Sequence, residues 1–187
     1  MEEMSTKTAL LQAGIREIRK YGLGNMSMRR VALNCELSCA TPYKHFKNKD
    51  EFIIEVFNYI HRQWSEIQSA IVQKTDDTRE QIILTCLAYI RFLVENPDFR
   101  SILFMQDDSL SREQRLAKSQ ISTGSLHIID AYCESVKMPK DVRFRKTYVV
   151  RSMLYGAAFL MGSGEFENED EIYEMVRSLI NREFDIE

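Results

Sequence analysis

The stretch SMRRVALNCELSCATPYKHFKNKDEF, residues 27–52, decides how this chain is read. Ser27 caps a short second helix running to about Cys35, with Val31 and Ala32 turned inward and Arg29 and Arg30 outward. Glu36-Leu37 makes a tight connection, and Ser38 caps a third short helix ending near Phe46. Asn48, with Glu51 three residues on, is a capping box that opens a long fourth helix. Upstream, Leu11, Ile15 and Ile18 step along a first helix of about 6–21, closed by Gly22. Three short helices, the last two joined by a tight turn, are the frame of a helix-turn-helix, which holds one helix out for the DNA major groove. The spacing alone is met equally well by a small helical subdomain with a solvated basic face.

In that frame Ser38, Cys39 and Ala40 are small enough for close backbone approach. Tyr43, Lys44 and His45 offer a hydroxyl, a cation and an imidazole to phosphates, and Thr41 and Lys44 are expected nearest to base edges. Lys49 extends the basic edge at the start of the fourth helix, where free backbone N–H groups also favour a phosphate. With Ser27 and Arg29 these residues form the expected DNA-contact set. Pro42 removes an intrahelical hydrogen bond and disfavours helical angles at Thr41, so an irregular first turn is expected.

Beyond residue 52 helical period continues. Phe52, Val56, Ile60, Trp64, Ile67 and Ile71 line the fourth helix. Asp77 with Glu80 opens a fifth that ends at Asn96-Pro97. A sixth covers about 98–106, and Ser111 with Gln114 opens a seventh reaching toward Glu134, with a bend near residues 122–125. Pro139 introduces an eighth running to about Gly162, and Asn168 with Glu171 opens a ninth ending near Arg182. No strand-period run competes, so the fold class is all-α, with nine helices. Residues 1–50 are the expected DNA-binding domain and residues 51–187 a second helical domain.

Charge follows the same division. The first 50 residues carry nine basic against five acidic side chains, a net of +4, while the remaining 137 carry 16 against 23, a net of -7. A basic head on an acidic body suits a phosphate-binding module joined to a domain with another task.

The run Ser27-Met28-Arg29-Arg30-Val31-Ala32, followed by Ser38 through Tyr43-Lys44-His45-Phe46-Lys47-Asn48-Lys49-Asp50-Glu51-Phe52, closely resembles the DNA-binding domain of the TetR family of transcriptional regulators. Ala88 to Arg100 looks like that family's fifth-to-sixth helix corner. Where many members have Gly in the turn, this chain has Glu36, so a left-handed backbone there would be strained. The resemblance implies a repressor that binds an inverted-repeat operator in double-stranded DNA and is released by a small-molecule effector. It also implies an effector cavity among the fourth to seventh helices, for which Trp64, Tyr89, Phe92, Phe104, Met105, His127 and Tyr155 are the candidates. A homodimer through the eighth and ninth helices is implied as well. Met153, Gly156, Ala157 and Leu160 would supply one side of that interface, and Ile172, Met175, Val176 and Leu179 the other.

Other classes fit less well. No H-E-x-x-H, G-x-S-x-G, dinucleotide or phosphate-loop pattern occurs, and His45, His61 and His127 lack ligand-like spacing, so neither an enzyme nor a metal or cofactor is expected. Cys35, Cys39, Cys86 and Cys133 show no paired spacing. Thiol sensing at Cys35 or Cys39 stays open as an alternative trigger, and a helical interaction protein without DNA binding as a more distant one. The longest apolar stretch, residues 153–162, is too short to span a bilayer, and the N-terminus lacks signal-peptide character, so a soluble cytoplasmic protein is expected.

Overall fold

A computed structural model describes residues 5–106, 108–123 and 125–185. Its helices are α1 (Thr6–Asn25), α2 (Met28–Leu33), α3 (Lys49–Val72), α4 (Thr78–Glu95), α5 (Pro97–Phe104), α6 (Arg112–Thr123), α7 (Leu126–Ser135), α8 (Lys140–Ser163) and α9 (Asp170–Glu183), with a 3-10 turn at Pro42–Lys44. No strand occurs among the described residues, and none of their helices is long and apolar enough to cross a membrane.

The chain divides into two compact units, residues 1–63 with 98–122 and residues 64–97 with 123–187. The division falls inside α3.

In the first unit the inward residues of α1 (Leu10, Leu11, Ile15, Ile18), α2 (Val31, Ala32) and α3 (Phe52, Val56, Phe57, Ile60) are buried, with Phe46 among them. The Phe46 and Phe52 rings meet edge-on, centroids 4.8 Å apart. Gly14 permits the close approach of α1, because a Cβ there would lie 2.4 Å from the Phe52 ring. The Asn48 capping box forms: its Oδ1 accepts from the Glu51 N–H at 2.9 Å, while Glu51 accepts from the Lys47 N–H at 2.8 Å. Ser111 and Gln114 cap α6 reciprocally, at 3.2 and 2.9 Å.

The second unit is built around α4, which packs against α7, α8 and α9. Asp77 caps α4 through the Arg79 and Glu80 N–H groups. Arg79 donates to the Asn181 carbonyl at 2.5 Å and to the Asp185 carboxylate, tying the end of α9 to the start of α4. The Tyr132 hydroxyl donates to the Phe184 carbonyl at 3.1 Å.

Four local expectations are corrected. The third helix contracts to the 3-10 turn, with residues 39 and 40 in a turn before it, because Pro42 has no N–H to give the Ser38 carbonyl, which takes the Thr41 N–H at 2.9 Å instead. Thr41 keeps helical angles (φ -59°, ψ -43°), since its N–H donates to the Ser38 carbonyl and its hydroxyl meets that of Ser38 at 2.9 Å. The seventh helix is two, α6 and α7, with Ser125 between them in the α region but making no side-chain cap; Gly124 lies outside the described residues. Finally, α9 begins after Glu169 rather than Asn168, whose side chain instead accepts from the Tyr173 hydroxyl at 2.8 Å. The break expected after residue 21 is present as a kink, Gly22 standing at φ 79° inside α1.

Candidate nucleic-acid interface and effector region

The turn between α2 and Pro42 sets the geometry of the basic face. The Leu37 N–H bonds back to the Ala32 carbonyl at 3.0 Å, and Glu36 takes φ 58°, the left-handed conformation that Gly would adopt without strain. Pro42 and Phe46 are buried and hold the 3-10 turn down. Between and before them Ser38, Cys39, Ala40, Tyr43, Lys44 and His45 are exposed, with Thr41 half-buried. The structure thus brings seven of the ten expected contact residues onto one short segment, six of them exposed.

The remaining three are placed differently from one another. Arg29 is exposed on α2. The Ser27 hydroxyl caps α2 by accepting from the Arg30 N–H at 3.5 Å. Lys49 donates from Nζ to the Gly24 carbonyl at 2.7 Å, so the cation is anchored beside the α1–α2 loop at the N-terminus of α3.

Sequence reasoning missed the role of Arg30. Its side chain does not simply point outward: Nε donates to Glu17 Oε1 at 2.6 Å, Nη2 donates to the Asn25 carbonyl at 2.6 Å, and the guanidinium lies 4.4 Å from the Tyr21 ring centroid. The Glu17 side chain is 1% exposed and also accepts from the Ser27 N–H at 3.3 Å. This buried carboxylate fixes the corner that presents α2. The signal was an acidic residue on the inward face of a helix thirteen positions before an arginine.

Of the seven cavity candidates, Trp64, Tyr89, Phe92 and Tyr155 form one cluster in the second unit. Ring centroids are 4.8 Å apart for Trp64–Tyr89, 5.6 Å for Trp64–Phe92 and 6.3 Å for Tyr89–Tyr155. Trp64 Nε1 donates to Ser125 Oγ at 3.1 Å. Arg151 Nη2 donates to the Tyr155 hydroxyl at 3.4 Å. Burial, together with the neighbouring Tyr155, pushes the Tyr89 phenol far above its ordinary pKa. Phe104 and Met105 belong to the first unit, Phe104 partly exposed and Met105 half-buried, and His127 is exposed on α7. Two polar residues not anticipated, Gln68 and Thr85, are buried on α3 and α4.

On α8, Met153, Gly156, Ala157 and Leu160 are half-buried, and a Cβ at Gly156 would meet nothing within 4 Å. Phe144, Tyr148 and Phe159 stand out more, at 75%, 67% and 57% exposure. On α9, Met175 and Leu179 are exposed and Ile172 is half-buried. Val176 is buried within its own subunit beside Tyr173 and Ile180, because it falls on the α9 face turned to that unit's core.

Burial raises the Cys35 thiol and pushes that of Cys86 up to about 12, the opposite of what a reactive thiolate needs.

Residues 10–56 match the family described as bacterial regulatory proteins, tetR family. No curated protein matches the chain by sequence. Among solved structures, a TetR family transcription regulator from Marinobacter aquaeolei VT8 is 21% identical, with 95% of this chain and 94% of that one covered and a TM-score of 0.77. AibR, solved with isovaleryl coenzyme A and operator DNA, is 16% identical over 94% and 98%, with a TM-score of 0.73. FadR from Bacillus subtilis, solved with stearoyl-CoA, is 14% identical over 95% and 98%, also at 0.73. At these identities the likeness establishes the fold.

Proposed function

Because residues 10–56 match the tetR-family regulators across the helix-turn-helix, we propose that this chain is a sequence-specific DNA-binding transcriptional regulator, a repressor acting in the cytoplasm and released from its operator by a small molecule. The observation that carries this reading is the outward segment Ser38–His45, clamped from below by buried Pro42 and Phe46 and presented over a matched helix-turn-helix. Residues 1–50 act as the DNA-binding domain and residues 51–187 as the effector and dimerisation domain. Tyr43, His45 and Arg29 bind phosphates, Thr41 and Lys44 lie nearest to base edges, and Lys49 supplies positive charge from its anchored position.

The exposed apolar residues of α8 and α9 support a two-fold dimer. In that dimer Phe144, Tyr148, Phe159, Met175 and Leu179 are covered by the partner, Gly156 and Ala157 permit close helix approach, and Val176 stays with its own core. The effector binds at the Trp64–Tyr89–Phe92–Tyr155 cluster. Coenzyme A esters, the ligands of AibR and FadR, are the first class to test. α3 carries both Lys49, its first residue, and Trp64, so the effector signal travels along this helix.

Selection of bound duplexes from a random pool tests the reading. It should recover an inverted repeat with half-site centres about 34 to 36 Å apart or a multiple of that. Arg29→Ala should flatten the salt dependence of binding by about one charge, whereas Lys44→Ala should relax the sequence preference. Ala157→Arg should give monomers in sedimentation. Failure to enrich any duplex overturns the DNA-binding reading, and an intact Ala157→Arg dimer moves the interface elsewhere.

A further inference from the structure

Two buried polar atoms of the second unit have no hydrogen-bond partner among the described residues: Gln68 Nε2 on α3 and Thr85 Oγ1 on α4. Their residues are only 6% and 5% exposed, and one turn beyond Thr85 the buried Tyr89 hydroxyl adjoins that of Tyr155. Protein interiors rarely leave such groups unpaired, because each has given up its hydrogen bonds to water. A leucine at 68 and a valine at 85 would fill similar volume without that cost, so the polar atoms ask for a partner that is not protein. Trp64 lies one helical turn before Gln68, and Thr85 one turn before Tyr89. The Trp64–Tyr89 ring contact brings the two helices together at this point.

From this arrangement we infer that the buried end of the effector site reads an uncharged hydrogen-bond acceptor, the carbonyl oxygen of a ketone, ester, thioester or amide, carried on an apolar or aromatic ligand. The inference rests on the effector reading given above. Both orphaned groups can donate, Gln68 through its amide nitrogen and Thr85 through its hydroxyl, and the neighbouring Tyr89 phenol stays protonated because burial opposes its ionisation. A carbonyl oxygen, with two lone pairs and no proton of its own, matches this pair of donors, whereas an ammonium group would bring only further donors to them.

Charge is disfavoured at the buried end. None of the buried residues of the second unit is a lysine, arginine, aspartate or glutamate among those described. An ionised ligand group would lie there without a counter-charge, at a cost that hydrogen bonds alone do not recover. The cation adjoining the cluster, Arg151, is half-buried and engages the Tyr155 hydroxyl. The Trp64, Tyr89 and Phe92 rings then cover the hydrocarbon body of the ligand.

Trp64 is the single tryptophan of the chain, so its fluorescence reports on this site alone. Cyclohexyl methyl ketone, cyclohexanecarboxylate and cyclohexylmethylamine are similar in size, absorb weakly or not at all at the excitation wavelength, and differ in charge. The full chain should bind the ketone saturably and at least about tenfold more tightly than either ion. Thr85→Val and Gln68→Leu should each weaken ketone binding by roughly fivefold while raising the unfolding midpoint of the ligand-free protein. The inference is overturned if the ketone shows no saturable binding. It is equally overturned if the carboxylate binds as well and loses that binding in Arg151→Gln, or if both variants bind the ketone like the parent or unfold earlier. Operator binding measured on the same preparations separates the two failures. Its loss sinks the regulator reading, whereas intact operator binding with failed probes sinks only the carbonyl assignment.

Discussion

Replacing Arg30 by Ala tests whether the α1–α2 corner is held by one buried charge. The substitution removes the 2.6 Å bond to Glu17, the 2.6 Å bond to the Asn25 carbonyl and the stacking on Tyr21. Glu17 keeps only the Ser27 N–H at 3.3 Å. Breaking a fully buried ion pair from one side costs about 3–5 kcal/mol. The Arg30 side chain is 44% exposed, however, and its truncation admits water to the carboxylate, which brings the expected loss to about 2–3 kcal/mol. The assay is amide hydrogen exchange read on α1 and α2, where such a loss appears as about 30- to 150-fold faster exchange. Arg29→Ala, one position earlier and exposed, should leave the same amides unchanged. Adding Glu17→Gln to Arg30→Ala should restore part of the protection, because the group that needed the cation is then neutral. Wild-type exchange in Arg30→Ala, or strictly additive losses in the double variant, would refute the argument.

Two further outcomes are expected. Glu36→Gly should stabilise the protein by about 1 kcal/mol in chemical denaturation, since the left-handed backbone at φ 58° is strained with a Cβ and free of strain without one; a lower midpoint would contradict that turn geometry. In alkylation at pH 8 followed by peptide mapping, exposed Cys39 should be modified well before Cys35 and Cys86. Raised pKa values leave less thiolate at that pH, and the Cys35 rate should climb as pH rises toward 10. Labelling of Cys86 at the Cys39 rate would mean that α4 opens readily.

The helix starts were legible wherever a cap is a local affair. Asn48, Asp77 and Ser111 each satisfy orphan N–H groups within a span of five residues, and all three cap their helices. Gln114 returns the bond to the Ser111 N–H, whereas the Asp77 N–H goes to Thr75 and the Glu80 carboxylate to Arg177. Asn168 followed the same pattern and lost its capping role to a partner five residues away, the Tyr173 hydroxyl. The bend expected near residues 122–125 is a break between α6 and α7, and the two could not be told apart for another reason. Ile121 and Ile128 are seven residues apart, so one bent helix and two separate helices give the same apolar register. The outward residues of the basic segment could be read because exposure there follows from the buried Pro42 and Phe46 on either side. Arg30 could not be placed from its own neighbourhood, since Glu17, its partner, belongs to another helix. For the same reason the aromatic cluster was only half legible. Ring types mark a core, but which rings meet depends on the pairing of distant helices, as in the contacts of Tyr89 with Trp64 and Tyr155.

The segment Ser38–His45 has a consequence for how such a chain diversifies. Its weight in the fold rests on Pro42, with Phe46 just beyond, while six of the other positions are exposed and touch little of the core. On the DNA-binding reading proposed above, mutations at Cys39, Ala40, Tyr43, Lys44 or His45 therefore explore new duplex sequences almost without a folding cost. On that reading the address can be rewritten while the scaffold that delivers it is inherited unchanged.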